Sequence, residues 1–295
     1  MNARRGILLA AAVSLAVALA GCSQVTPIPT PTPVKSPTGN QELRLLSMAV
    51  ASGTTAAWAA AQEAGSALAV REINEAGGVL GKPVTLWQRV DATPATLTDA
   101  AKALGIDAAI VAPDPKALAG LMDAGTKAKV AVVGIGTTSN VATPTVKPLP
   151  DASLPPVIST GKPTGTSKPT TTSKAAPTQA SAPSTAAARK PGTPVVPDAA
   201  FTARLKSSNP FLTDVTYGAE SYQLAVALAL AALVAQDDAG PSLVSGLEQI
   251  TIGDVVCTDF ASCRTVLLDN RAIKYVGPAG RMSFDARTGV VTFGS

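Results

Sequence analysis

The chain has 295 residues, 46% of them hydrophobic and 15% charged, with a net charge of +4 and no histidine. Without histidine, Ser-His-Asp and Cys-His nucleophilic mechanisms and histidine metal sites are excluded. The positive balance includes Arg4, Arg5 and the lysines of a low-complexity stretch, so it is not gathered into the basic face that a nucleic-acid surface needs; no nucleic-acid partner is expected.

Met1-Asn2-Ala3-Arg4-Arg5 leads into an apolar run over residues 6–20 and then Gly21-Cys22, which reads as a bacterial export signal with a lipobox. In lipoproteins that resemble this pattern, cleavage before Cys22 leaves the cysteine carrying lipid. Residues 1–21 would then be the signal peptide, with the chain held to the membrane through lipid on Cys22. An uncleaved anchor or a plain secretory signal is the alternative. Arg4-Arg5 hints at twin-arginine export, but the rest of that motif is poor and ordinary secretion is expected. Alternating Pro and Thr over residues 23–40 favour an extended, solvated chain, so residues 22–41 are expected to be a tether rather than a ligand for a proline-binding partner. No other run reaches the roughly 18 apolar residues of a spanning helix, and residues 224–235 suit a buried helix.

The first ordered element is a nearly continuous apolar strand over residues 43–51, followed by a loop at 52–55. Residues 61–76 carry apolar Ala61, Leu68, Ala69 and Ile73 at helical spacing, with Arg71, Glu72 and Glu75 on another face. Gly77 and Gly78 end this helix, Gly81-Lys82-Pro83 turns the chain, and residues 84–90 form a strand. A helix then starts near Pro94, capped by Thr93 or Thr96, and runs to Leu104. A strand over 107–112, a helix over 116–127 and a strand over 130–135 continue the alternation, which predicts an α/β fold with a doubly wound, mostly parallel sheet.

Residues 142–198 are Pro/Thr/Ser/Ala-rich, too poor in apolar surface to offset ordering entropy, and are expected to be a disordered linker. Order resumes over 199–295: a short helix within 201–210, a long one from Tyr217 to before Asp237, and a third over 242–249 capped by Ser242 or Ser245. Strands are expected at 250–255, 272–276, 281–284 and 290–293. Cys257 and Cys263 are expected to form a local disulfide, with two free thiols as the alternative; two cysteines without histidine are too few for a metal site.

The run Ala69-Val70-Arg71-Glu72-Ile73-Asn74-Glu75-Ala76-Gly77-Gly78-Val79-Leu80-Gly81, with Asp91 closing the next strand, resembles the first lobe of the type 1 periplasmic solute-binding proteins, the branched-chain amino acid receptor family of ABC importers. Gly280-Arg281-Met282-Ser283-Phe284-Asp285 with Gly289 resembles the closing segment of that family, and a cysteine pair around a Thr-Asp-Phe-Ala-Ser loop also occurs in some relatives. The resemblance covers residues 43–140 and 217–289. It implies that Trp58 lines a ligand pocket, where its own reading leaves core packing equally open. It further implies that Gly136, Thr137, Thr138 and Ser139 form a hydroxyl-rich loop for an amino-acid head group, where the alternative is an ordinary polar loop.

The chain departs from the pattern in three places. Ala112-Pro113-Asp114-Pro115 replaces the family's glycine and serines, and Asp114 would repel an anionic ligand group. Gln223 stands where aspartate is usual. The low-complexity stretch stands where most of a second lobe would be. The expectation is therefore one lobe assembled from residues 42–141 and 199–295, since a long loop costs closure entropy only logarithmically.

By resemblance the protein is a lipid-anchored solute-binding component on the outer face of the bacterial cytoplasmic membrane or in the periplasm. Its partners would be a small amino-acid-like solute and an ABC permease, with no cofactor. The alternative is a non-transporting envelope lipoprotein that keeps the lobe as a protein-binding module. An enzyme, with Asp91 and Asp114 as paired carboxylates, is not expected.

Overall fold

A computed structural model describes residues 37–49, 56–111, 114–136 and 193–294. Cys22, Thr137, Thr138, Ser139 and nearly all of the expected linker lie outside the described residues. In chain order the elements are β1 (Arg44–Met48), α1 (Ala56–Glu75), β2 (Thr85–Arg89), α2 (Pro94–Leu104), β3 (Ala108–Val111), α3 (Pro115–Ala128) and β4 (Ala131–Ile135). After the gap come α4 (Ala199–Ser208), α5 (Gly218–Ala235), α6 (Gly240–Gln249), β5 (Val255–Cys257), α7 (Phe260–Leu268), β6 (Ile273–Gly277), β7 (Gly280–Asp285) and β8 (Val290–Gly294).

The strands form one sheet in the order β2-β1-β3-β4-β8-β7-β6-β5. Every neighbouring pair from β2 to β8 is parallel, as is β5 with β6, while β7 runs antiparallel to β6 and β8. The final strand pairs with β4 through Gly134↔Val290 and Ile135↔Val291, so both halves of the chain build the same sheet. Side chains alternate across each strand, and β1, β3 and β4 are buried on both faces. Leu46, Met48, Ala109 and Val111 meet α2 and α3 through Leu97, Leu118 and Leu121. Leu45, Ala108, Ile110 and Val133 belong to the opposite layer with α1 and α5. The sheet is thus doubly wound.

Helix α5 has a mean hydropathy of 1.5 and is long and apolar enough to cross a membrane, yet 83% of it is buried in this layer. It packs along α1 where Gly65 faces the Gly218 carbonyl; a Cβ on Gly65 would sit 2.1 Å from that oxygen. The residues after α5 clasp the segment that leads into β1. Asp237 accepts bonds from Thr38 N–H (3.1 Å), Thr38 Oγ1 (2.7 Å), Gly39 N–H (2.8 Å) and Ser242 Oγ (2.7 Å). Asp238 accepts from Gln41 N–H at 2.9 Å and Glu42 N–H at 2.6 Å.

Several local expectations need correction. Helix α6 is capped by Ala239 without a side-chain bond, because Ser242 donates to Asp237 instead. Residues 250–254 are turn, and the strand starts at Val255. The Cys257–Cys263 disulfide is present, with Cα atoms 5.2 Å apart, but the segment it closes is not a plain loop. Asp259 accepts from Ser262 N–H at 2.9 Å and starts α7, which the sequence reading missed.

Candidate functional site at the carboxyl ends of the strands

In an open α/β sheet the crevice outside the carboxyl ends of the strands is where ligands are held, since loops and helix N-termini converge there. Here that edge is formed by the ends of β1, β3 and β4 and by the first turns of α1 and α5. Trp58 lies in the first turn of α1 and is half-buried. Its ring meets Tyr217 edge-on, with centroids 5.0 Å apart and planes at 70°, a favoured aromatic geometry. Tyr217 caps α5 with a left-handed backbone, φ 64°, which a residue with a Cβ adopts only where its surroundings enforce it. Burial raises the Tyr217 hydroxyl pKa, and Glu220 adds to the effect. Trp58 packs against the core while part of its ring stays exposed.

Gly136 ends β4 and is held by β8, its N–H donating to the Val291 carbonyl at 2.7 Å. A Cβ there would come within 2.9 Å of Thr292, Val290 and the Val291 oxygen, so the strand packing itself requires glycine. The three hydroxyl residues that follow lie outside the described residues. Sequence reasoning missed Gln62, which is buried under this edge and donates from Nε2 to the Met48 carbonyl (3.2 Å) and Ser47 Oγ (3.4 Å), fixing the end of β1. The packing of Tyr217 on Trp58 was also missed; an aromatic immediately before a helix carries no periodic signal.

The aspartates near this edge have local tasks. Asp114 caps α3, accepting from Lys116 N–H at 2.9 Å and Ala117 N–H at 3.1 Å, so its charge faces the positive end of a helix. Asp91 accepts from Thr96 Oγ1 at 2.7 Å at the start of α2, where Thr93 is the cap. Two grooves lie away from this edge: one of about 720 Å³ between α2 and α3, the other of about 430 Å³ between α1 and β2. Among the described residues no group of three or more acidic or cysteine side chains could hold a metal ion.

The motif that carries the family resemblance serves the fold. Asn74 donates from Nδ2 to the Val84 carbonyl (3.0 Å) and accepts from Val84 N–H (2.7 Å), acting as a short pseudo-strand at the start of β2. Glu72 binds Arg204 at 2.5 Å and accepts from Tyr222 Oη at 2.6 Å, joining α1, α4 and α5. Burial, then the bond to Glu72, pushes the Tyr222 pKa up. Gln223 accepts from Ala279 N–H at 2.8 Å and donates to the Gly280 carbonyl at 2.7 Å, a pair of bonds that an aspartate could not complete.

No family model and no curated protein matches the chain. Among solved structures, it is similar to the branched-chain amino acid transporter substrate-binding protein LivJ of Streptococcus pneumoniae in complex with isoleucine, at 26% identity over 34% of this chain and 30% of that one, TM-score 0.31. A substrate-binding periplasmic protein of Ralstonia solanacearum matches at 23% identity over 32% and 28% of the two chains, TM-score 0.29. An ABC-transporter solute-binding protein of R. palustris in complex with 4-hydroxybenzoate matches at 18% over 35% and 28%, TM-score 0.28. The protein thus resembles periplasmic solute-binding proteins, and it spans under a third of the length of each of these structures.

Proposed function

We propose that this protein is an extracytoplasmic, lipid-anchored solute-binding component of the kind that serves amino-acid-type ABC importers, reduced to one lobe. It would present Trp58, Gly136, Thr137, Thr138 and Ser139 to a small amino-acid-like solute and hand that solute to a permease. The observation that carries this reading is Trp58, held half-exposed by Tyr217 where the parallel strands end. The export signal and the Cys22 lipobox support the location, and the motif at residues 69–81 supports the family.

One wall buries less of a polar solute than two, and buried area is how such sites gain affinity, so the expected binding is weak. A thermal-shift screen against amino acids, small amides and carboxylates tests the reading, because a ligand that binds only the folded state raises Tm as RT ln(1 + [L]/Kd). A shift lost in both Trp58→Ala and Thr138→Ala supports a working receptor. No shift with any of them, on a cooperatively folded protein, favours the second reading, a lobe kept as a protein-binding module. Phe211, 91% exposed in the loop before α5, is the observation on that side.

A further inference from the structure

Strand β2 is the outermost strand of the sheet, and among the described residues nothing pairs with its outer side. Thr85 N–H donates to the Leu43 carbonyl and the Arg89 carbonyl accepts from Ala49 N–H, so the odd-numbered residues bond inward to β1. In a parallel ladder the alternate residues turn their main-chain groups the other way. Those of Val84 are taken by the Asn74 side chain, which leaves Leu86 and Gln88 with outward groups and no strand to receive them; the Gln88 carbonyl accepts only from the exposed side chain of its neighbour Arg89, at 3.2 Å, a bond that pairing would displace. No proline, bulge or inward lysine interrupts Thr85-Leu86-Trp87-Gln88-Arg89, and the strand's single charge, Arg89, stands at its end. The groove beside it, lined by Val70, Arg71 and Leu86, leaves room for another chain.

We propose that this edge pairs with the same edge of a second copy, antiparallel and centred on Trp87, continuing the sheet across a two-fold axis. The register is self-consistent. Leu86 faces Gln88 of the other copy, so the two residues with outward groups on each strand exchange their bonds. Trp87 faces its own mate in the non-hydrogen-bonded position, where side chains approach most closely. Thr85 faces Arg89, so no like charges are opposed, and each Arg89 lies diagonal to the other copy's Trp87, a cation–π arrangement. A parallel or shifted register breaks this match: shifting by one residue sets outward groups against inward ones. The contact is independent of the solute reading, and its small size predicts a reversible dimer that forms with rising concentration.

Sedimentation velocity on the full chain over a hundredfold concentration range tests it. The expected result is a monomer that converts to dimer. Gln88→Pro removes an outward N–H that the monomer does not use, and Thr85→Lys sets a like charge against Arg89; each is expected to weaken association by about tenfold or more. Thr85→Glu is expected to strengthen it. The double variant Thr85→Cys/Arg89→Cys is expected to form intermolecular bridges between the two introduced positions, because within one strand they lie too far apart to bridge. A monomer at every concentration, with no bridge in the double-cysteine variant, overturns the proposal. So does a dimer that is unchanged by both Gln88→Pro and Thr85→Lys.

Discussion

Adjacent glycines at the end of α1 separate two roles that the sequence presents as one. Gly77 has φ 96° with open space where a Cβ would project, whereas Gly78 has φ 70° and would place a Cβ 2.1 Å from the Lys82 carbonyl. Gly77→Ala is therefore expected to cost about 1 kcal/mol, from the left-handed backbone alone, and Gly78→Ala clearly more, as read by urea denaturation. Gln223→Ala leaves the Ala279 N–H and the Gly280 carbonyl without their buried partner, an expected loss of about 2 to 3 kcal/mol. Asp107 gives a pH signature. Burial, first, raises its pKa to about 7; the bond from Arg44 N–H opposes this, and the nearby Asp238 adds to it. A carboxyl whose folded pKa is raised contributes stability below the unfolded value, and that contribution is lost as pH rises through about 7. Asp237 has the opposite sign: burial would raise it, but bonds from Ser242, Thr38 and Gly39 hold it well below the usual range, so its contribution is lost only in acid. Asp107→Asn keeps an acceptor for Arg44 N–H and is expected to flatten the fall of Tm between about pH 4 and 7. A wild-type Tm with no such fall, or the same fall in the variant, would assign the dependence to other groups.

At the scale of elements, the strongly periodic segments were legible. Strands β1, β3 and β4 are continuous apolar runs, and α2 announces itself by Thr93 and Pro94. What sequence could not show depends on partners far along the chain. By composition the expected tether runs through Gln41, yet Thr38, Gly39 and Gln41 are fixed by Asp237 and Asp238, nearly 200 residues away. Helix α7 was hidden because the cysteine spacing dominated the reading of a segment whose Asp259 and Ser262 are a cap. The turn at 250–254 has strand-like residues, but Gly253 lies against the Ile273 carbonyl, where a Cβ would be 2.4 Å from the oxygen. The disulfide ties the end of β5 to the first turn of α7 and closes only a short loop, so chain entropy predicts a contribution of about 2 kcal/mol. Cys257→Ser/Cys263→Ser is expected to lower stability by that amount in urea denaturation while the rest of the sheet keeps its amide protection. A loss of protection in β1 and β3 would show instead that the whole lobe depends on the bridge.

For the whole molecule, a single doubly wound sheet draws on both sides of the 142–198 stretch, joined at β4 and β8. At the candidate site the sequence leaves Trp58 open between core and pocket, and the structure shows it half-buried against Tyr217; Gly136 and Asp114 have strand-packing and helix-capping contacts, which local sequence does not separate from ligand contact. The chain has only two tryptophans, Trp58 and Trp87, so Trp87→Phe leaves Trp58 as the sole reporter at the crevice. The measurement that tests the central claim most directly is a fluorescence titration of that variant with the amino acids and carboxylates of the screen. The account predicts a saturable change in Trp58 emission with at least one of them, abolished by Thr138→Ala. A flat emission with all of them, from a variant that still melts cooperatively, would contradict it.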